Sequence, residues 1–166
     1  MKTIFIILAF IFSSSIISGQ DNFVLKSPDT LQLKKEFIES DFGANSMFTY
    51  FAKNYKATSK KKDIKLDPDF NNKECGFTIS YEFGIEYTFY ECGEAAPVTE
   101  HIILPKTSLP ELKKWIQAIH TSQSEENTNI WYGDTNEYGP KDKQVGCYYK
   151  IKQTDTKSII TTWCGC

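Results

Sequence analysis

The middle of the chain constrains the fold more than any other stretch. Phe77, Ile79 and Tyr81 alternate with Thr78, Ser80 and Glu82, and beyond Gly84 the residues Ile85, Tyr87 and Phe89 alternate with Glu86, Thr88 and Tyr90. A strand turns successive side chains to opposite faces, so period two on both sides of a glycine marks a half-buried hairpin. Pairing Tyr81 with Ile85, Ile79 with Tyr87 and Phe77 with Phe89 puts all six apolar side chains on one face. That register leaves Glu82-Phe83-Gly84 as a three-residue loop. Its last position wants a left-handed residue, which glycine supplies without steric cost. A slip of one residue would mix the two faces, so the register is well specified.

The flanking sequence supplies the cover that this face needs. Ser27-Pro28-Asp29 reads as a helix start, with Ser27 as the cap and Pro28 at the first helical position. Leu31, Phe37, Ile38 and Phe42 give an imperfect apolar stripe to a helix over 28–41. Met47, Phe48, Tyr50, Phe51 and Tyr55 recur at three- and four-residue spacing and predict a second helix over 45–57. Ser108 and Glu111 form a capping box ahead of Leu112, Trp115, Ile116 and Ile119, which predicts a helix over 109–121. Further strands are expected at 98–104, 130–132, 144–152 and 157–164. Residues 20–26 read as a flexible lead, 56–65 as a lysine-rich run, and 66–72 and 133–143 as loops. The order predicts an α+β fold: a mostly antiparallel sheet of about five to six strands, with two or three helices packed on one face.

The N-terminus sets the compartment. Lys2 precedes an apolar run from Ile4 to Phe12, followed by Ser13, Ser14, Ser15, Ser18 and Gly19. A bilayer-spanning helix needs about 20 apolar residues, so this run is too short to anchor. Its three-part layout is that of a secretory signal. Residues 1–19 are therefore expected to be a signal peptide, cleaved after Ser18 or Gly19, and 20–166 a single domain. The product is expected to be secreted, extracellular or periplasmic, with no stable membrane anchor. In an oxidising compartment disulfides are the default for Cys75, Cys92, Cys147, Cys164 and Cys166. Cys75 and Cys92 flank the central hairpin. Cys147 and either Cys164 or Cys166 flank the last one, and a rival pairing links the two hairpins. Each bridge across about 15 residues stabilises by roughly 3 kcal/mol in the chain-entropy model.

Composition narrows the chemistry. All 19 basic residues are lysine. Without arginine the chain lacks the planar fork that grips phosphate, carboxylate and guanine. A net charge of −2 does not select nucleic acid or membrane as a partner. His101 and His120 are the only histidines, and two isolated imidazoles do not make a zinc site. Asp67, Asp69 and Asn71 open like a calcium loop, but Asn72 and Thr78 stand where glycine and glutamate are required. Ser59 and Lys62 have S-x-x-K spacing inside the lysine run, and no nucleophile elbow occurs. No catalytic residue, metal or cofactor is expected.

Binding is better represented. Residues 66–100 hold eight acids against one lysine, and Glu82 and Glu86 flank the hairpin tip. Phe83, Trp131, Tyr132 and Tyr138 stand in or beside loops and belong to residue types enriched at binding hot spots. The expectation is a secreted, non-catalytic protein-binding module of inhibitor or immunity type. Its partner would be an extracellular or periplasmic protein with a basic surface. Two alternatives stay open: a small-ligand or glycan-binding domain built on Trp131, Tyr132 and the 133–143 loop, and a hydrolase of unrecognised type using His101 or His120.

Overall fold

The computed structural model describes residues 23–40, 45–65, 73–91, 98–123 and 129–165. Three α-helices lie among them: α1 (Thr30–Glu39), α2 (Ser46–Asn54) and α3 (Leu109–Gln123). The strands are β1 (Lys62–Lys65), β2 (Glu74–Tyr81), β3 (Ile85–Tyr90), β4 (Val98–Pro105), β5 (Asn129–Trp131), β6 (Glu137–Pro140), β7 (Gly146–Gln153) and β8 (Lys157–Gly165). All eight join one antiparallel sheet in the order β1-β2-β3-β4-β8-β7-β6-β5. The fold is α+β as expected.

The sheet has more strands than the sequence reading expects, and both extra strands lie in segments read as polar. β1 comes from the lysine run and is a short, charged edge strand, the form that discourages pairing with another chain. β6 comes from the 133–143 stretch. Its Tyr138, Gly139 and Pro140 are all buried, although glycine and proline suggest a loop.

The central hairpin has the register that its alternation dictates. Tyr81 faces Ile85, Ile79 faces Tyr87 and Phe77 faces Phe89. The turn departs in one respect: Phe83 joins Gly84 at positive φ, 62° against 71°. Helix starts also follow local chemistry. Asp29, not Ser27, caps α1, its carboxylate accepting the Gln32 N–H at 3.0 Å. Asn45 caps α2 through the Phe48 N–H at 2.8 Å. Ser108 accepts from the Glu111 N–H at 3.4 Å at the head of α3.

Pairing partners line up into rows across the sheet. On the covered face one row runs Phe77, Phe89, Glu100, Thr162, Tyr149, Tyr138, Trp131. The next runs Ile79, Tyr87, Ile102, Ile160, Ile151. Met47, Tyr50 and Phe51 of α2 and Leu112, Trp115, Ile116 and Ile119 of α3 close over them in one apolar cluster. α1 leans on the other two helices and buries Leu33, while Leu31 and Ile38 face outward. Of the stripe read for α1, Phe37 is half-buried, Leu31 and Ile38 are exposed, and Phe42 lies outside the described residues.

Residues 23–26, expected to be flexible, are pinned. The Tyr50 hydroxyl donates to the Lys26 carbonyl at 2.6 Å, and the Lys26 N–H donates to the Tyr55 hydroxyl at 3.1 Å. Phe23 packs on Tyr55 and Phe83, with centroids 6.0 and 5.8 Å away. One disulfide joins Cys147 to Cys164, which face each other directly across β7 and β8. Cys75 is also disulfide-bonded. Its expected partner Cys92, like Cys166, lies outside the described residues. No described helix is long and apolar enough to cross a membrane.

Candidate functional site

Among the described residues the three helices cover one face of the sheet and none covers the other, and the side chains there are not those of an ordinary solvated surface. Antiparallel sheets usually turn polar side chains outward. Here an outer row runs Tyr90, Thr99, Trp163, Tyr148 across β3, β4, β8 and β7. Beside it runs Thr78, Thr88, His101, Thr161, Lys150, Glu137, and beyond that Ser80, Glu86, Ile103, Ile159, Lys152. Lys150 is neutralised by Glu137 at 2.6 Å. Lys62 of β1 pairs with Thr78 and extends the second row, and with Glu86, Lys152 and His101 it makes up the remaining acid, lysine and histidine side chains of these rows.

The aromatic cluster is held rigidly. Tyr148 and Trp163 stack with centroids 5.4 Å apart and planes 4° from parallel. The Tyr148 hydroxyl donates to the Gln144 carbonyl at 2.6 Å, and the Tyr132 hydroxyl to the Pro140 carbonyl at 2.7 Å. Gly139 makes the seating possible. A Cβ there would lie 2.5 Å from the Tyr148 ring and 2.6 Å from the Tyr132 oxygen. Lys143 lies 5.2 Å over the Tyr132 ring. At the other end of the row, His101 meets Tyr90 edge-on at 6.1 Å and is 3.3 Å from the Thr161 hydroxyl.

The residues singled out from the sequence are scattered by the fold. Tyr132 belongs to the outer aromatic cluster, and Glu86 lies on the same face near the hairpin tip. Tyr138 is a core residue, 5% exposed, packed against His120, Trp131 and Tyr149. Trp131 is half-buried on the helix side, with Lys113 4.6 Å above its ring. Glu82 holds local structure: its carboxylate accepts the Lys56 N–H at 3.2 Å. Phe83 is 42% exposed, and its ring rests on Phe23 and Tyr55 rather than projecting alone. Tyr90, Tyr148 and Trp163, the middle of the aromatic face, were missed. The signal was present in Tyr148-Tyr149, since adjacent strand residues must point to opposite faces.

The acidic segment also changes character. Asp67, Asp69 and Glu94 lie outside the described residues, as does the whole calcium-like opening. Glu100 is buried under α2 and contributes nothing to the surface field. Glu74, Glu82, Glu86 and Glu91 remain at the surface. An open depression of about 460 Å³ lies at the base of the hairpin over Phe77 and Phe89, between Lys61, Lys73, Asp63, Glu74 and Glu91. Its mixed charges do not converge on one ligand chemistry.

No catalytic arrangement forms from the residues weighed for one. His101 lies on the bare face, whereas His120 is buried on α3 with its Nδ1 3.2 Å from the Tyr149 hydroxyl, so the sheet separates them. The Ser59 hydroxyl accepts the Ser80 N–H at 2.9 Å and closes the start of β1 onto β2. Among the described residues no group of His, Cys, Asp and Glu is arranged to hold a metal. Comparison of the chain with protein-family models, with curated proteins and with solved structures finds no match.

Proposed function

We propose that this chain is an exported, non-catalytic protein-binding module, of inhibitor or immunity type, whose contact surface is the bare face of the sheet. The supporting observation is the outer row of Tyr90, Trp163 and Tyr148, continued by Tyr132, on a face with few uncompensated charges. Interface cores are enriched in tyrosine and tryptophan and depleted in charge. Side chains already fixed by stacking and hydrogen bonds lose little entropy on binding, which favours affinity. Both edges of the sheet are short, β1 with four residues and β5 with three, so capture of a partner strand at an edge is disfavoured. Glu86 at one margin gives a basic partner an electrostatic orientation.

A glycan is the second reading, favoured by one feature: the aromatic row runs beside a row of threonine hydroxyls and an imidazole. Aromatic rings beside hydroxyls also suit sugars. The two readings separate in one experiment. Immobilised protein is exposed to the extracellular fraction of its source culture and, separately, to an oligosaccharide array. Retention of a protein by wild type, lost in Tyr148→Thr/Trp163→Thr and kept in Glu82→Lys, is the expected result. Array binding with the same variant sensitivity transfers the face to a glycan. Equal protein retention by wild type and the double variant removes the face from the function.

A further inference from the structure

Glu100 sits at the centre of the inner row, where β4 meets β8, and is 5% exposed. Its two oxygens are treated differently. Oε1 takes two donors, the Asn45 amide and the Tyr87 hydroxyl, each at 2.5 Å. Oε2 meets one group, the Thr162 hydroxyl at 2.9 Å. The titratable groups turned toward it are Tyr87 from β3 and Tyr149 from β7, with His120 of α3 bonded to Tyr149. Among the described residues no lysine is bonded to it. A buried carboxylate without a cation is costly, whereas a neutral acid with its bonds made is not. The asymmetry suits the neutral form: a carbonyl oxygen accepts two bonds, and an O–H on Oε2 can be given to a hydroxyl that accepts as readily as it donates.

The carboxyl also holds a helix. Asn45 binds Glu100 with its amide nitrogen and caps α2 with its amide oxygen, so one side chain couples the carboxyl to the head of that helix. We infer that Glu100 is a carboxylic acid in the folded protein, its O–H on Oε2 donated to the Thr162 hydroxyl, and that ionisation, which leaves a buried charge without a cation, drives α2 to open from the sheet and admit water. The fold is then a proton-held latch that is tightest in acid. Burial pushes the carboxyl up, against hydrogen bonds from Tyr87, Asn45 and Thr162 that pull it down. The sign follows. The unfolded chain releases this proton at the ordinary carboxylate pKa, while the folded chain keeps it to higher pH. Stability is complete below the ordinary value and falls as pH rises toward the raised one.

The test uses the full chain and Glu100→Gln, which keeps the shape and cannot ionise. Urea unfolding is followed from mildly acidic to alkaline pH, together with amide hydrogen exchange of α2. For wild type the folding constant should fall by up to about tenfold per pH unit across the window, the slope of one proton. The α2 amides should open in step, and the Gln variant should lack both responses. Parallel stability curves for the two proteins overturn the inference. Should the variant fail to fold, wild type decides. Its infrared spectrum at neutral pH should hold a protonated-carboxyl band that disappears on alkaline titration, and absence of that band is equally fatal.

Discussion

The two halves of the molecule share one plan and spend their aromatic residues in opposite directions. Each half is a helical segment followed by a four-stranded meander, and the last strands, β4 and β8, meet at the centre of the sheet. Exchange of β4 with β8 carries β3 onto β7, β2 onto β6 and β1 onto β5. In the N-terminal half the rings turn inward: Phe48, Tyr50 and Phe51 meet Phe77, Tyr81 and Tyr87. Its outward positions include Thr78, Ser80, Thr88 and Thr99, with Tyr90 as the outward ring. In the C-terminal half Tyr149 and Tyr138 face the core, while Tyr148, Trp163 and Tyr132 face out. Topology alone therefore does not decide where a binding surface lies. One half supplies most of the core aromatics, and the other supplies most of the half-buried rings of the opposite face, which Tyr90 alone joins from the N-terminal half.

The comparison breaks first if the N-terminal core can be hollowed cheaply. Phe51 is fully buried and its ring touches Tyr50, Tyr55, Tyr81, Tyr87 and Trp115. Phe51→Ala removes the ring and leaves a cavity that five aromatic neighbours cannot refill. The expected loss is about 3–5 kcal/mol in denaturant unfolding. That is a large share of the roughly 5–15 kcal/mol that holds a domain together. A loss below about 1 kcal/mol would mean that the core weight lies elsewhere.

A sharper test goes to the C-terminal half, where a small change should move the surface more than the fold. In Gly139→Ala the new Cβ meets the Tyr148 ring and the Tyr132 hydroxyl, both of which must shift. Overpacking of this kind costs about 1–3 kcal/mol, and the low end is expected because the atoms met belong to two side chains rather than to backbone. The parallel stack of Tyr148 on Trp163 should loosen, visible as a changed tryptophan emission and near-ultraviolet dichroism with the unfolding midpoint little altered. Unchanged spectra would show that the cluster does not depend on the missing side chain.

How much of this was legible in the sequence follows from how local each signal is. The central hairpin could be read with its register because alternation on both sides of Gly84 admits one pairing. α3 could be read from its capping box. β6 could not, since a Tyr-Gly-Pro strand owes its pairing to β5 and β7 rather than to its own residues. Glu100 belongs to the acidic segment 66–100, yet Ile102 and Leu104 follow at steps of two and place it on the buried face. Its partners Asn45 and Thr162 are 55 and 62 residues away in the chain, beyond any local pattern. The aromatic face has the same origin: Tyr90, Tyr148 and Trp163 become neighbours only when β3, β4, β8 and β7 lie side by side.

Phe83 is the N-terminal half's exposed aromatic, and the smallest expected effect belongs to it. Its positive φ costs a residue with a side chain about 1–2 kcal/mol relative to glycine. Against that, roughly half of its ring is covered by Phe23 and Tyr55, a contribution of about 1 kcal/mol. Phe83→Gly removes both effects, relieving strain and losing packing, and adds the greater chain entropy of glycine in the unfolded state, about 0.5–1 kcal/mol. These oppose one another, so the net change should stay within about 1 kcal/mol. Phe83→Ala separates the contributions, because alanine keeps the strained backbone and loses the ring. If the turn is strained and the ring is anchored by its own chain, the alanine variant is the less stable of the two. The reverse order would mean that the left-handed turn is comfortable for a side chain at this position.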